Sequence, residues 1–471
     1  MGEHLDAGYA TIPPLTGWLA FAVNKMFGFS VFGIRFLPAI AGAVSVYIIS
    51  ALVRELGGGL HAMIIAVSSY VFAPGFLLVD TLFTPNAFEE LIWLLVTWSI
   101  FRMVKRKDPR YWLLAGIFVA IGFLNKYSVM FLVAGFIPAL LLCDRKILNS
   151  RYLFFSVITG LAIISPNIIW QYRHGWPVMI HMGELKSSQL DFSGYYDFPV
   201  SLYAFSQGSA IIWLTGLIAL LFFRREKEYR YIGMASVIVM LLFFVLKGKG
   251  YYALGLIPFL LAFGGCMVEK YFRKSVQYGI LIAALVMSIA AIPSGLPVLS
   301  FENYSRYIAK TRHFIHHPLL KWDDGVKHNF SQAYSDMNGW EKLTSIVAET
   351  YYSLDENERK NCTIFGERNY GYAGAIYFYG RKYNLPEAIT FHESYVFWAP
   401  DSIPEGPMIY IFRDKNNLDE LFNEVTMTGS VNDKFFREDR LKVFLCRSPK
   451  KDIRKEYSAL AIKEKSRYSR E

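Results

Sequence analysis

From residue 33 onward, long apolar runs alternate with short polar loops, and after Pro293 the pattern gives way to short mixed elements. The runs fall at 33–53, 60–79, 86–104, 111–124, 128–143, 152–170, 202–223, 231–246, 251–268 and 276–293. A straight helical crossing needs about 20 apolar residues, so the shorter runs are expected to tilt, re-enter or borrow interfacial residues. Counted one by one they predict a polytopic α-helical membrane protein of about ten spans, occupying residues 33–293. Beyond it, Trp340–Leu354 reads as an amphipathic helix, Cys362–Phe365 as a strand and Gly371–Tyr379 as a helix. Met408–Phe412 reads as a strand, Asn417–Val425 as a helix and Leu441–Cys446 as a last strand. Such alternation suggests a small α/β domain over 294–449, followed by a charged, frayed tail at 450–471. No internal repeat is visible.

Composition agrees: 54% of the 471 residues are hydrophobic and only 19% charged. The net charge of +10 would suit nucleic acid, but the placement of the basic residues argues against it. They gather in the short loops between runs. If residues 1–32 lie outside, the inner loops and flanks carry sixteen Lys and Arg against seven on the outer side. That bias satisfies the positive-inside rule with strict alternation. It puts Asp80–Pro85, Asn125–Tyr127, Gln171–Ser201 and Lys247–Gly250 on one outer face. Met1-Gly-Glu-His-Leu-Asp6 is not a basic-then-apolar leader. A translocated N-terminus needs a preceding span, so Met1 is expected to be an internal start with a span upstream. The four cysteines form no CxxC or Cys/His cluster that would suggest structural zinc. Cys362 and Cys446 fall in strands, where pairing and two buried thiols are both open.

Candidate chemistry centres on Val79–Trp93, VDTLFTPNAFEELIW, a polar hinge that opens an apolar run. Thr84 and Pro85 suit the N-cap and first helical positions. Asn86, Glu89 and Trp93 then share one face, with Glu90 one turn from Asn86. Two readings stand: carboxylates complementing a helix N-terminus at the interface, or a polar site inside a membrane protein. Lys247-Gly-Lys-Gly-Tyr-Tyr252 sets two ammoniums and two phenols at a span entrance, which suits a phosphate headgroup or snorkelling lysines beside belt tyrosines. Lys126 is a second outer lysine in a very short loop. His174-Gly-Trp-Pro177 opens a segment in which Trp176 can stack on a sugar or sit at the interface. Arg35, at the start of its run, can pair with Asp80 or Glu89 or serve as an anchor. Carboxylates for base work, lysines for phosphate and aromatics for a sugar together suggest glycosyl transfer from a lipid phosphate. No P-loop, HExxH or dependable Ser/His/Asp pattern competes.

The chain resembles the ArnT-like, protein-mannosyltransferase-related membrane glycosyltransferases of C-type fold. The likeness runs through GEHLDAGYATIPPLTGW, FGIRFLPAIAG, TPNAFEELIW, GFLNKYSVMF, SPNIIWQYRHGWP and LKGKGYYALGLIPFLLA, in the family's order. NYGYAGAIYFYG and LPEAITFHESYVFWAP resemble the outer C-terminal domain of one bacterial subgroup. The resemblance makes residues 1–32 the remainder of a first outer loop with an interfacial helix. It implies inverting transfer from a polyprenyl-phosphate sugar to a lipid, glycan or protein acceptor at the outer face of the cytoplasmic membrane. A carboxylate would deprotonate the acceptor while cations or a divalent metal stabilise the departing phosphate. By position, Glu3, His4, Tyr9, Pro13 and Pro14 belong to the first-loop motif, and Asn86 and Glu89 to a second polar site. Lys126, Lys247, Lys249 and Tyr251 fall where phosphate contacts are expected. Two departures matter. The family's first-loop acidic pair would lie upstream of Met1, and Thr11-Ile12 replaces the acidic residue before the Pro-Pro pair. Asp6, Asp80 or Glu89 then stand as substitute bases, and the metal ligands are unknown. The alternatives are a non-catalytic relative that binds a lipid-linked saccharide and a transporter. A transporter should carry inverted repeats and mid-membrane acids.

Overall fold

The computed structural model describes residues 1–311, 320–415 and 417–468. They form two compact units. The first comprises 1–8, 12–170 and 182–329, the second 9–11, 171–181 and 330–471.

Helices dominate the chain up to residue 311: α1 (Leu15–Phe27), α2 (Val31–Glu55), α3 (Leu60–Val71), α4 (Pro74–Val79), α5 (Pro85–Arg106), α6 (Tyr111–Asn125) and α7 (Val129–Asp144). They continue with α8 (Arg151–Arg173), α9 (Pro177–Ser188), α10 (Asp197–Ser206), α11 (Ser209–Phe222), α12 (Arg230–Val245), α13 (Ile257–Tyr271), α14 (Lys274–Gly295) and α15 (Phe301–Thr311). The Ser30 hydroxyl caps α2 by accepting the Gly33 N–H. Thr84 holds the N-cap position of α5 with extended backbone and Pro85 is its first residue, but the Thr84 side chain makes no capping bond.

Every apolar run is helical, yet two are broken. The run 60–79 divides at Phe72-Ala73, because Pro74 has no N–H to continue α3 and instead starts α4. The run 202–223 divides at Gln207-Gly208, where α10 and α11 meet at 112°. Gln207 has a φ of +45°, and a methyl on Gly208 would collide with the Ala284 carbonyl. Among the described residues five helical segments are long and apolar enough to cross a membrane, or six with the bent pair as one span. Ten was expected. α3 and α6 are apolar but shorter than a straight crossing requires, and α5 carries its own charges.

The segment Gly250–Tyr271 is the buried centre, whereas α8 and α14 turn Phe154, Ile158, Leu161, Ile282, Val286 and Ile289 outward. A band of exposed apolar side chains on long helices fits hydrocarbon rather than water. Small residues let the central helices touch. Methyls on Gly216 and Gly264 would strike the Leu260 and Ile212 carbonyls, so α11 and α13 cross backbone to backbone.

The second unit carries the sheet: β1 (Thr363–Gly366), β2 (Met408–Phe412), β3 (Phe422–Val431) and β4 (Leu441–Pro449), in the order β1-β2-β4-β3. β1 and β2 are parallel, joined through α19 (Tyr370–Tyr379), and the other pairings are antiparallel. Strand alternation sends Ile409 and Ile411 to one face, where Leu343 and Val347 of α17 (Trp340–Tyr352) cover them. Met408 and Tyr410 face the other way, onto Ile453 and Tyr457. The remaining short helices are α16 (Gln332–Ser335), α18 (Glu356–Lys360) and α20 (Leu418–Leu421).

Two expectations fail here. The helix at 417–425 is one turn, α20, and then β3. Leu418, Leu421, Phe422 and Val425 have helical spacing, but pairing with β4 satisfies the backbone of Val425–Val431 instead. The tail is not frayed: Asp452 caps α21 (Ile453–Ser466), and Ile453, Tyr457 and Ala461 are buried. Residues 469–471 of that expected tail lie outside the described residues. All four cysteines are free, Cys362 and Cys446 included. Burial pushes both of those thiols up to about 12, so they stay protonated and unreactive.

The α11–α13 crossing is testable. Gly264→Val should destabilise the protein by about 1–3 kcal/mol through overpacking, read as a lower Tm in detergent. An unchanged Tm would mean the helices do not approach this closely.

Candidate functional site

α5 starts at Pro85 and therefore brings Asn86 and Glu89 onto one face within its first two turns. α6 ends at Asn125, and the loop to α7 presents Lys126, Tyr127 and Ser128 toward that face. Lys126 Nζ donates to Asn86 Oδ1 and to Glu89 Oε2, each at 2.8 Å. Ser128 donates its hydroxyl to the other Glu89 oxygen. Asn125, fully buried, donates to the Pro85 carbonyl at 2.8 Å and pins the loop against the helix start. The ammonium also lies over the Tyr252 and Tyr251 rings, 4.7 and 5.6 Å from their centroids. A carboxylate only 5% exposed thus has both oxygens engaged, as burial demands.

Three other acids are arranged differently. Glu90 is buried with neither oxygen hydrogen-bonded among the described residues, within electrostatic reach of Asp80, Glu89 and Lys126. Asp80, in the connection before α5, accepts the Tyr70 hydroxyl at 3.0 Å. Burial pushes its carboxyl above the usual range, against that hydrogen bond, which pulls it down. Gly42 makes room for it, since a methyl there would collide with the carboxylate. Asp6 is exposed, its carboxylate accepting the Ala7 N–H at 2.7 Å.

The lysine pair divides in its partners. Lys247 takes positive φ and lies over the Tyr195 ring at 5.2 Å. Lys249 Nζ donates to Gln189 and to the Asp323 carboxylate. Tyr251 and Tyr252 are within electrostatic reach of both Glu89 and Asp323. Beside Tyr195, Phe244 (rings 5.7 Å apart) lines an apolar groove of about 400 Å³. Phe198, Leu202, Trp213, Val237 and Met240 are among its other lining residues.

The first loop is tied to the same region. Buried Asn167 donates to the Ala7 carbonyl at 2.7 Å and accepts from Tyr127 at 2.9 Å. Glu3 and His4 are exposed, and Arg35 is half-buried near the start of α2. The observed partners of Asp80 and Glu89 are Tyr70 and Lys126. Tyr9, His174 and Trp176 belong to the second unit. There Tyr9 packs edge-on to Trp398 (6.3 Å) and His174 edge-on to Phe397 (5.3 Å), while Trp176 has a φ of +60°.

Sequence reasoning passed over Ser128, Gln189 and Asp323. Ser128 follows the Asn-Lys-Tyr triplet directly and was within reach of it. Asp323 sits in a Trp-Asp-Asp-Gly turn far along the chain, with no signal linking it to Lys249. Among the described residues no three His, Cys, Asp or Glu side chains gather as metal ligands.

Residues 11–170 match the family described as dolichyl-phosphate-mannose-protein mannosyltransferase. The lipid A galacturonosyltransferase RgtD of Rhizobium johnstonii is 25% identical over 185 residues, 39% of this chain and 39% of RgtD. The chain therefore matches about two fifths of the length of that relative. ArnT from Cupriavidus metallidurans superposes with a TM-score of 0.63 in its apo state, at 13% identity, covering 93% of this chain and 88% of ArnT. The form bound to undecaprenyl phosphate gives a TM-score of 0.61 at 12% identity and the same coverage. The fold is that of ArnT, the C-type glycosyltransferase architecture: a helical membrane part followed by a sheet-bearing unit.

The buried ion pair makes a prediction of its own. Lys126→Met leaves Glu89 without its cation and should cost about 3–5 kcal/mol, measured by unfolding in detergent. Lys126→Met with Glu89→Gln should recover most of that loss. Equal stability of the single and double variants would mean the pair is not coupled.

Proposed function

We propose that this ArnT-like chain is an integral-membrane glycosyltransferase that moves a sugar from a polyprenyl-phosphate donor to a lipid, glycan or protein acceptor. We place the reaction at the outer face of the cytoplasmic membrane, with the sheet-bearing unit extracytoplasmic. The observation that carries this reading is the Glu89–Lys126 network at the start of α5. It holds a buried carboxylate against an ammonium that lies over the Tyr251 and Tyr252 rings, close along the chain to Lys249.

The chemistry follows from the groups available. An acceptor hydroxyl loses its proton to Glu89, whose orientation Lys126, Asn86 and Ser128 fix. The hydroxyl oxygen bonds to the anomeric carbon, and the bond from that carbon to the phosphate oxygen breaks. Negative charge grows on the leaving phosphate, where Lys249 and Lys247 stabilise it, and polyprenyl phosphate departs. Such stabilisation is strong where water is excluded. The apolar groove lined by Phe244 suits the first part of the isoprenoid, and Lys247 lies over Tyr195, whose ring packs on Phe244. No step is routed through a metal ion.

Transfer assays in proteoliposomes with a polyprenyl-phosphate sugar donor test the assignment. Glu89→Gln should insert normally and lose about 10²–10⁴-fold in turnover. Unchanged turnover would remove Glu89 from the site. Lys247→Ala with Lys249→Ala should raise the apparent KM for the donor, and an unaltered KM would make both lysines interfacial anchors.

A further inference from the structure

Lys249 is not an open cation. Its ammonium is held by the Gln189 amide oxygen and the Asp323 carboxylate, and of these two only Asp323 carries charge. Asp323 reaches it from a short hairpin, Leu320 to His328. The hairpin is closed by His328 N–H to the Leu320 carbonyl (2.8 Å) and Trp322 N–H to the Val326 carbonyl (3.0 Å). The Trp322 and His328 rings stack across it, centroids 3.7 Å apart. A second set of contacts fixes it to the first residue of α10 and the segment before it. Lys321 Nζ donates to Asp197 Oδ2 at 2.6 Å and to the Phe192 carbonyl at 3.0 Å, and Gly325, with a φ of +76°, packs on Phe192. The hairpin therefore has attachments that do not involve Lys249.

We propose that Asp323 is a residue of the donor site, a resident anion that occupies Lys249 until the leaving polyprenyl phosphate displaces it. This rests on the reading of Lys249 as a phosphate contact. Three observations point there. The Lys249 and Asp323 side chains are 22% and 26% exposed, so an incoming anion can reach the pair, unlike a pair sealed in the core. Lys247, two residues away, rests on the Tyr195 ring, so a carboxylate is not a general requirement of lysines in this loop. Asp323 also acts electrostatically on Tyr251 and Tyr252, the residues that face the Glu89 network. The sugar-linked phosphate is a diester with one charge, but as the sugar leaves it becomes a monoester with more charge and more acceptor oxygens than a carboxylate, so it then competes effectively for the ammonium. On displacement, Asp323 is released while Lys321 and Gly325 keep the hairpin in place. Asp323 then sets a threshold: a ligand must offer more to Lys249 than one carboxylate does. That selects phosphorylated lipids over fatty acids and other carboxylates of the same membrane.

Binding of undecaprenyl phosphate to the full chain in detergent tests the proposal, with Lys249→Ala and Asp323→Asn made singly and together. Asp323→Asn should bind about tenfold tighter, the worth of roughly one charge-assisted hydrogen bond. It should also gain affinity for a long-chain carboxylate. With Lys249→Ala in place, Asp323→Asn should bring no gain. Wild-type binding with an unchanged or weaker Asp323→Asn overturns the proposal, and a Tm loss alongside it would make Asp323 a structural pin. No binding by the wild type would instead overturn the reading of the donor site itself.

Discussion

The ion pair between Glu89 and Lys126 governs the arrangement of the first unit. A carboxylate at the start of an apolar helix is costly to bury unless a cation and hydrogen-bond donors meet it there. Here the loop between α6 and α7 supplies the ammonium and the Ser128 hydroxyl, and Asn125 pins that loop to the Pro85 carbonyl. Three helix ends are thereby locked together. The tyrosines above Lys126 belong to the turn that opens α13, so the same ammonium also fixes the entrance of the central helix. Removing any partner disturbs more than one element.

Close backbone packing serves the same end. α11 and α13 meet through Gly216 and Gly264 without intervening side chains, which leaves the central helix little freedom to slide. Gly42 makes the corresponding allowance for Asp80, letting a carboxylate sit against α2 with Tyr70 as its donor. Polar groups at this depth are tolerated because the helices around them were shaped to admit them.

Much of this was legible in the chain because its signals are local. Thr-Pro before an apolar run fixed where α5 begins, and hence which face Asn86 and Glu89 share. Lys126 stood out because the charge pattern reads its short loop as an outer one, where positive charge is avoided. What escaped was set by distant partners. Gln207-Gly208 looks like a tolerable interruption of a span, and only the approach of α14 at Ala284 makes it a sharp bend. Val425 and its neighbours have helical spacing, but the open edge of β4 claimed them. Asp323 carries no mark that would tie it to a lysine 74 residues earlier.

The groove beside Phe244 has room for a few isoprene units and no more. A long isoprenoid would leave most of its carbons in the surrounding bilayer, where they meet the same hydrocarbon whatever their number. In the proposed reading the protein would then sense the head and the first units of the lipid and be blind to total chain length, so polyprenols of quite different size would serve it equally.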